Sequence, residues 1–369
     1  MSSAKGTFLR LDLQAVISNY HFFKKEIGKT TKILAVVKAF AYGHEAVAIA
    51  KKLEKEQVAY FGVAYVQEGI ALREAGIKTP ILVLHPQMQD VSDCIKYNLE
   101  PNIYSFRILE VFQEAIKKLD KNTFKIHLKF NTGLNRLGFV KSDIKALTKI
   151  INRNINIQVA SVFSHLVASE DHREKDFTQS QIEEYKSIVQ TFAKYYKQAF
   201  IKHLANTSGT LNYQEAHFDM VRIGIGLYGY ANEKKWTEKL KNVGSLHTQI
   251  SQIHLIKKGD SVGYNRAFIA KEDTLSATLP IGHADGIPRT WGNGKAYVTI
   301  NNVKAPLLGN VCMDMIMVDV TDIVCREGDP VIIFDTQETV EDLASNTQTI
   351  SYELLTAISQ RVKRIFDNE

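Results

Sequence analysis

KILAVVKAFAYGHE, residues 32–45, opens as a run of β-favouring residues and places a lysine, Lys38, where that run ends. A lysine there gains meaning if the strand belongs to a barrel, because barrel enzymes keep their chemistry at the C-terminal strand ends. The surrounding sequence answers that question. β-rich runs recur at YFGVAYV (60–66), TPILVLH (79–85), LEPNIYS (99–105), FKIHLKF (124–130), IQVASVFSHL (157–166), IKHLAN (201–206) and MVRIGIGLYG (220–229). Between them lie stretches with apolar residues three and four apart, such as EAVAIAKKLEKE (45–56), VQEGIALREAG (66–76) and SQIEEYKSIVQTFAKYYKQ (180–198), which read as helices. Eight strands with intervening helices close a (β/α)8 barrel, so the expected class is α/β.

After residue 235 the pattern changes to strand-like alternation in TQISQIHLIKKGD, LSATLPIG, KAYVTINN and APLLGNVCMDMIMVDV, broken by GD, GNG and NN turns. This reads as a mostly-β second domain. The expected partition is a barrel over 1–234 and a β domain over 235–369, with the N-terminal strand a candidate to pack on the latter. SYELLTAISQRVKRIF sets Leu354, Ile358 and Val362 on one helical face, so a helix is expected to close the chain.

The composition narrows the partners. With 45% hydrophobic and 23% charged residues, the 369-residue chain has the balance of a protein with a large core. A net charge of +6, spread among 40 acidic residues without a basic stripe, speaks against nucleic acid. Cys94, Cys312 and Cys325 lie far apart with no CxxC pair, which argues against a disulfide framework or a structural metal and fits a reducing compartment. MSSAKGTFLRLDL has no long apolar core and no run of about 18 apolar residues follows, so a cytoplasmic protein without membrane contact is expected.

Three places carry candidate chemistry. Lys38, partly desolvated at a strand end, suits Schiff-base formation, although position alone also fits a lysine whose stem is buried and whose head reaches water. The glycines of RIGIGLYG (222–229) let backbone N–H groups approach an anion at a recurrent phosphate position in barrels; they equally suit a strand with close helix packing. HLANTSGT offers Asn206, Thr207 and Ser208 beside it, residues that also serve as ordinary turn chemistry.

Together these segments resemble a known family. VVKAFAYGH resembles the pyridoxal-phosphate (PLP) lysine motif of alanine racemases. LKFNTGLNRLGF is similar to the family's segment around its substrate-facing arginine, FSHL to its histidine strand, ANTSGT to its phosphate loop and VRIGIGLYG to its pyridine-contacting strand. Further on, VGYNRAF resembles the catalytic-tyrosine loop, and IGHADGIPR, GNVCMDMIMVD and TISYELLTAISQRVKR three later motifs. The likeness runs from about residue 8 to residue 366, in order and in register.

The resemblance implies PLP on Lys38, which also acts as base on one face of the substrate Cα, and Tyr264 as base on the other face. It implies a homodimer in which that tyrosine comes from the neighbouring subunit. Arg222 would donate to the pyridine nitrogen without giving up its proton, and a short-lived carbanion favours racemisation. His165 would contact Arg222 or the ring. Tyr42, Asn206, Thr207, Gly224, Ile225 and Tyr352 would bind the cofactor, chiefly its phosphate. Arg136, Met313 and Asp314 would serve the substrate, Lys129 is a candidate for carbamylation, and His283 and Asp285 would line the entrance. The implied reaction interconverts L- and D-alanine for peptidoglycan.

Departures from the family pattern are Phe40, Glu45, Asn131, His283, Asn310 and Thr356. His283 stands where a tyrosine usually narrows the entrance, so a smaller, titratable gate is expected. Asn310 and Thr356 read as peripheral. A PLP decarboxylase of the same architecture is disfavoured, because such enzymes pair the pyridine nitrogen with a carboxylate.

Overall fold

The structure, a computed structural model, describes residues 6–117 and 123–367. Residues 1–5, on which part of the N-terminal reading rested, lie outside the described residues, as do the ends of the expected 1–234 and 235–369 units. The chain opens with strand β1 (Phe8–Leu11), then β2 (Lys32–Val36), β3 (Tyr60–Val63), β4 (Ile81–Val83), β5 (Glu100–Ile103), β6 (Phe124–Lys129), β7 (Ile157–Phe163), β8 (Ile201–His203) and β9 (Met220–Ile223). Strands β2 to β9 are parallel and close on themselves, with Arg222 of β9 registered against Leu34 of β2.

Strands such as β2, β3 and β4 read as nearly continuous apolar runs because both faces are covered, one by the barrel interior and one by the helix ring. Helix Ala46–Lys55 buries Ile49, Ala50 and Leu53 against that ring. Its N-cap is Glu45, whose carboxylate accepts from Val47 N at 3.0 Å and Ala48 N at 2.6 Å. This residue, a departure from the pattern the sequence resembles, thus satisfies two orphan amides at the positive end of the helix. Helix Lys175–Tyr195 packs Ile182, Tyr185, Ile188 and Phe192 inward.

The remaining strands are β10 (Gly244–Gln249), β11 (Gln252–Ile256), β12 (Ser261–Val262), β13 (Phe268–Ile269), β14 (Thr274–Leu279), β15 (Tyr297–Ile300), β16 (Val303–Leu308), β17 (Ile316–Asp319), β18 (Pro330–Phe334) and β19 (Lys363–Phe366). Nine strands form one sheet in the order β11-β14-β17-β16-β15-β18-β10-β1-β19. The N-terminal strand β1 sits inside this sheet, antiparallel to β10. TQISQIHLI is two strands, divided at Ile250–Ser251, that reach distant places in the sheet.

The expected closing helix is shorter than the pattern implies. It spans Ser351–Ala357, and the chain ends instead on β19, parallel to β1. Leu354, Ile358 and Val362 are all buried, but helix, linker and strand approach bury them separately. The edge of β1 supplies hydrogen bonds that a lengthened helix would forgo.

Candidate active site

β2 delivers Lys38 into an unusual turn. Ala39, Phe40, Ala41 and Tyr42 all have φ near +50°, with values of 52°, 54°, 53° and 54°. Successive left-handed non-glycine residues cost roughly 1–2 kcal/mol each and persist only where the surroundings over-determine them. Here Glu68 accepts from Ala39 N at 2.7 Å, and Arg364 donates to His44 O at 3.0 Å while lying 5.3 Å from the centre of the Phe40 ring. The turn sets the Tyr42 ring against that of Tyr228, tilted by 30° with ring centres 4.8 Å apart, and Tyr228 donates to Val36 O at 2.9 Å.

The turn opens on a cavity of about 820 Å³ at the C-terminal ends of the strands. Lys38, Tyr42, Lys129, Arg136, His165 and Arg222 line it, together with Asn206, Thr207, Gly224, Ile225 and Tyr352. Four of its lining side chains are cationic and none is a carboxylate. Burial lowers the Lys38 amine, Arg136 adds to that, and Glu68 acts in opposition. Burial, then Arg136, Arg222 and Lys38, bring Lys129 down to about 8. Burial and the same cations hold His165 well below its usual range, so its ring is neutral.

Arg222 is buried, and burial lowers its guanidinium to about 10, which leaves it charged at neutral pH. It donates to His203 Nδ1, Ser164 O and Leu204 O at 2.8 Å each and to His165 Nδ1 at 3.0 Å. Opposite, Asn206 caps the helix Thr207–Asn212, and the Thr207 hydroxyl oxygen accepts from Gly224 N at 3.2 Å and Gly226 N at 3.4 Å.

The other expected residues stand apart. Tyr264, 71% exposed, shares a second cavity of about 660 Å³ with Met313 and Asp314. Gly263, Asn265 and Arg266, all at positive φ, surround Tyr264. His283 is exposed, its amide bonded to Cys312 O at 2.9 Å, while Ala284 N bonds Met313 O at 3.0 Å. Asp285 is buried and bound to Gly282 N at 2.8 Å and to Arg361, which also meets Asp314 at 2.7 Å. Within one chain, therefore, Lys38 and Tyr264 line different cavities.

The alanine racemase N-terminal domain model matches residues 11–232, and the alanine racemase C-terminal domain model matches residues 243–366. The chain belongs to the alanine racemase family. It is 35% identical over 98% of its length to alanine racemase 1 of Caldanaerobacter subterraneus subsp. tengcongensis, covering 95% of that protein. The alanine racemase of Treponema denticola is 37% identical, with 95% of each chain covered. Among solved structures, alanine racemase of Clostridium difficile superposes with a TM-score of 0.92 at 31% identity, covering 99% of this chain and 96% of that one. The Bacillus anthracis enzyme with bound L-Ala-P gives 0.90 at 29% identity, covering 100% and 96%. The Bartonella henselae enzyme with covalently bound pyridoxal phosphate gives 0.88 at 29%, covering 99% and 100%. As a member of this racemase family the chain is an enzyme, an isomerase.

The residues present fit the family's cofactor. Four cations without a lining carboxylate call for an anionic occupant. Gly224 leaves room that any side chain would fill, since a Cβ there would lie 2.4 Å from Tyr42 Oη. Burial raises the phenols of Tyr42 and Tyr352, keeping both as neutral donors suited to phosphate oxygens.

Sequence reasoning missed the partners that hold these groups. His203 and the carbonyls of Ser164 and Leu204 were unmarked, though His203 lies on the strand IKHLAN in an inward position. Asn310 is more than peripheral, since its amide donates to Tyr264 O at 3.1 Å. Asn131 accepts from Gly133 N at 3.1 Å and Asn135 N at 2.9 Å, shaping the turn that carries Arg136. Thr356 bonds Tyr352 O one helical turn back at 2.7 Å.

Proposed function

We propose that this racemase interconverts L- and D-alanine with PLP on Lys38, and that two residues from different subunits move the proton. The observation that carries the reading is the convergence of a depressed amine, three further cations and neutral donors on one carboxylate-free cavity. The cofactor supplies a conjugated electron sink that acidifies the substrate Cα–H. Lys38 Nζ, its basicity lowered by burial and by Arg136, takes or returns the proton on one face. The partner subunit's Tyr264 serves the opposite face, because inversion needs groups on both sides of a planar carbon. Lys38 and Tyr264 line separate cavities in one chain, which supports a homodimer with composite sites.

Arg222 would donate a hydrogen bond to the ring nitrogen of the bound cofactor while keeping its own proton, and His165, neutral beside it, steadies its orientation. Tyr42, Asn206, Thr207, Tyr352 and the backbone of Gly224 and Ile225 bind the cofactor, chiefly its phosphate, by neutral hydrogen bonds. Arg136 and the Met313 backbone orient the substrate carboxylate, with Asp314 beside them. Carbamylated Lys129 would hold Arg136. His283 and Asp285 belong to the entrance, Asp285 by fixing the turn that presents His283. The unit 1–234 carries the cofactor and 235–369 the second base. The product D-alanine serves peptidoglycan, and the reaction runs in the cytoplasm, consistent with unpaired Cys94, Cys312 and Cys325 and with the lack, among the described residues, of a helix able to cross a membrane.

The test is purified protein supplied with PLP and L-alanine, followed by chiral chromatography. D-alanine accumulating toward an equal mixture is expected; none, with the cofactor bound, would defeat the reading.

A further inference from the structure

Arg222 brings a full charge into the barrel core, yet its four hydrogen-bond acceptors are all neutral. A buried cation is costly unless something compensates it. A carboxylate, Glu100, lies at the far end of a hydrogen-bond chain that starts at Arg222. Arg222 Nη1 meets His203 Nδ1 at 2.8 Å, and His203 Nε2 meets Ser161 Oγ at 2.8 Å. Ser161 Oγ meets His127 Nδ1 at 2.5 Å, and His127 Nε2 meets Glu100 Oε2 at 2.9 Å. These residues come from five consecutive strands, β5 to β9, with Ser161 and His127 registered directly against each other. His203, Ser161 and His127 are fully buried and Glu100 nearly so. Barrel interiors are ordinarily filled by branched apolar side chains, so a continuous polar belt needs a reason.

The chemistry of the two ends fixes every proton between them. A guanidinium only donates, so His203 Nδ1 accepts and His203 carries its proton on Nε2. That N–H donates to Ser161. If His127 also donated to Ser161, the hydroxyl proton would be left without an acceptor in a dry interior, so Ser161 donates to His127 Nδ1. His127 then carries its proton on Nε2, and that N–H donates a hydrogen bond to the Glu100 carboxylate. Burial acts to raise the Glu100 carboxyl, but its interactions with His127, by hydrogen bond and charge, and then with Lys125 and Tyr60, outweigh it and lower the group from its usual value. Reversing the order would set two donors face to face at Arg222.

We propose that Glu100 is a positioning residue for Arg222, acting through His127, Ser161 and His203 to hold the guanidinium as an oriented donor at the cavity. Its effect on turnover rests on the assignment of Arg222 to the cofactor ring made above; the proton order does not.

The experiment is nitrogen-15 NMR of histidine-labelled holoenzyme, wild type and Glu100→Gln, with kcat and KM for alanine measured on the same samples. In the wild type, His127 and His203 should both show a bare Nδ1 and a protonated Nε2. A glutamine amide can donate to His127 and start the opposite order, so Glu100→Gln should give His203 a second tautomer and lower kcat about tenfold, with KM within about twofold. Should that variant not fold, Ser161→Ala breaks the chain midway and should shift the His127 and His203 signals and lower kcat alike. Doubly protonated His127 in the wild type, or His203 signals that ignore both substitutions, overturns the proposal. A changed His203 pattern at unchanged kcat supports the proton order and overturns the role given to Arg222 in the reaction.

Discussion

Glu68 and Ala39 join two barrel strands at the cavity rim: one carboxylate oxygen accepts from Ala39 N at 2.7 Å, and the other from Ala64 N at 2.6 Å and Tyr65 N at 3.3 Å. The same carboxylate is the counter-charge that opposes the depression of Lys38. Glutamine at this position keeps one acceptor and turns an amide N–H₂ toward a backbone donor. Glu68→Gln should lose roughly 2 kcal/mol of stability, the scale of hydrogen bonds to a charged group. Its Lys38 should also titrate at lower pH. Urea unfolding and the pH dependence of lysine modification measure the two effects, and a wild-type urea midpoint would refute the first.

Gly224 faces Tyr42 closely enough that a Cβ would lie 2.4 Å from the phenol oxygen. Tyr42 packs its ring against that of Tyr228, so the ring has little room to retreat. Gly224→Ala should therefore displace the phenol from the proposed phosphate site and weaken PLP binding by about tenfold or more, equivalent to about 1.4 kcal/mol. Equilibrium dialysis of cofactor-free protein against PLP reads this directly. Unchanged affinity would remove Gly224 and Tyr42 from the cradle.

Lys129 titrates at about 8 in the folded chain, below the ordinary lysine value of 10.5. Between those values the unfolded chain binds a proton that the folded chain lacks, so stability rises with pH. Lys38 is shifted in the same direction and adds to the trend. Above the ordinary tyrosine value the sign reverses, because Tyr42 and Tyr352 keep protons that unfolded tyrosines release. The Cys94 thiol, pushed up by burial, acts in opposition above the ordinary cysteine value, so cofactor-free protein should show a urea midpoint that rises above about pH 8 more steeply than that of Lys129→Met and then falls. A midpoint that drops steadily across that window would contradict the assignment, and Lys129→Met should remove much of the climb.

The same depressed amine makes Lys129 reactive toward carbon dioxide. Its neutral nitrogen would attack the carbon of CO₂ and release a proton, converting a cation into an anion beside Arg136 and Arg222. In ¹³C-bicarbonate the protein should show a carbamate resonance that is absent from Lys129→Ala. Identical spectra from both proteins would exclude carbamylation at this position.

The barrel was legible because its strands are short, most of them apolar, and are separated by helical patterns, all local properties of the chain. The end of the chain was not: Leu354, Ile358 and Val362 share a helical spacing, but β1, separated from them by most of the sequence, draws Lys363–Phe366 into strand pairing. Similarly, RIGIGLYG and VVKAFAYGH marked Arg222 and Lys38, whereas His203, Ser161, His127 and Glu100 carry no common motif. Their connection exists only once five strands curve around one interior, and nothing in the linear spacing encodes it.

The division of Lys38 and Tyr264 between two cavities leads to a test by complementation. Lys38→Ala and Tyr264→Phe each remove one of the two proposed proton carriers, so each homodimer should be nearly inactive. In a mixed dimer one site receives both substitutions and the other receives neither, provided each site draws its two residues from different chains. Random pairing makes half of the dimers mixed, and half of their sites intact, so co-expressed variants should recover about a quarter of wild-type activity. If both residues served a site within one chain, no mixture could restore turnover. Recovery near a quarter in the unfractionated mixture, and near a half in mixed dimers purified through two different affinity tags, thus separates a shared site from a self-contained one without relying on the geometry of either cavity.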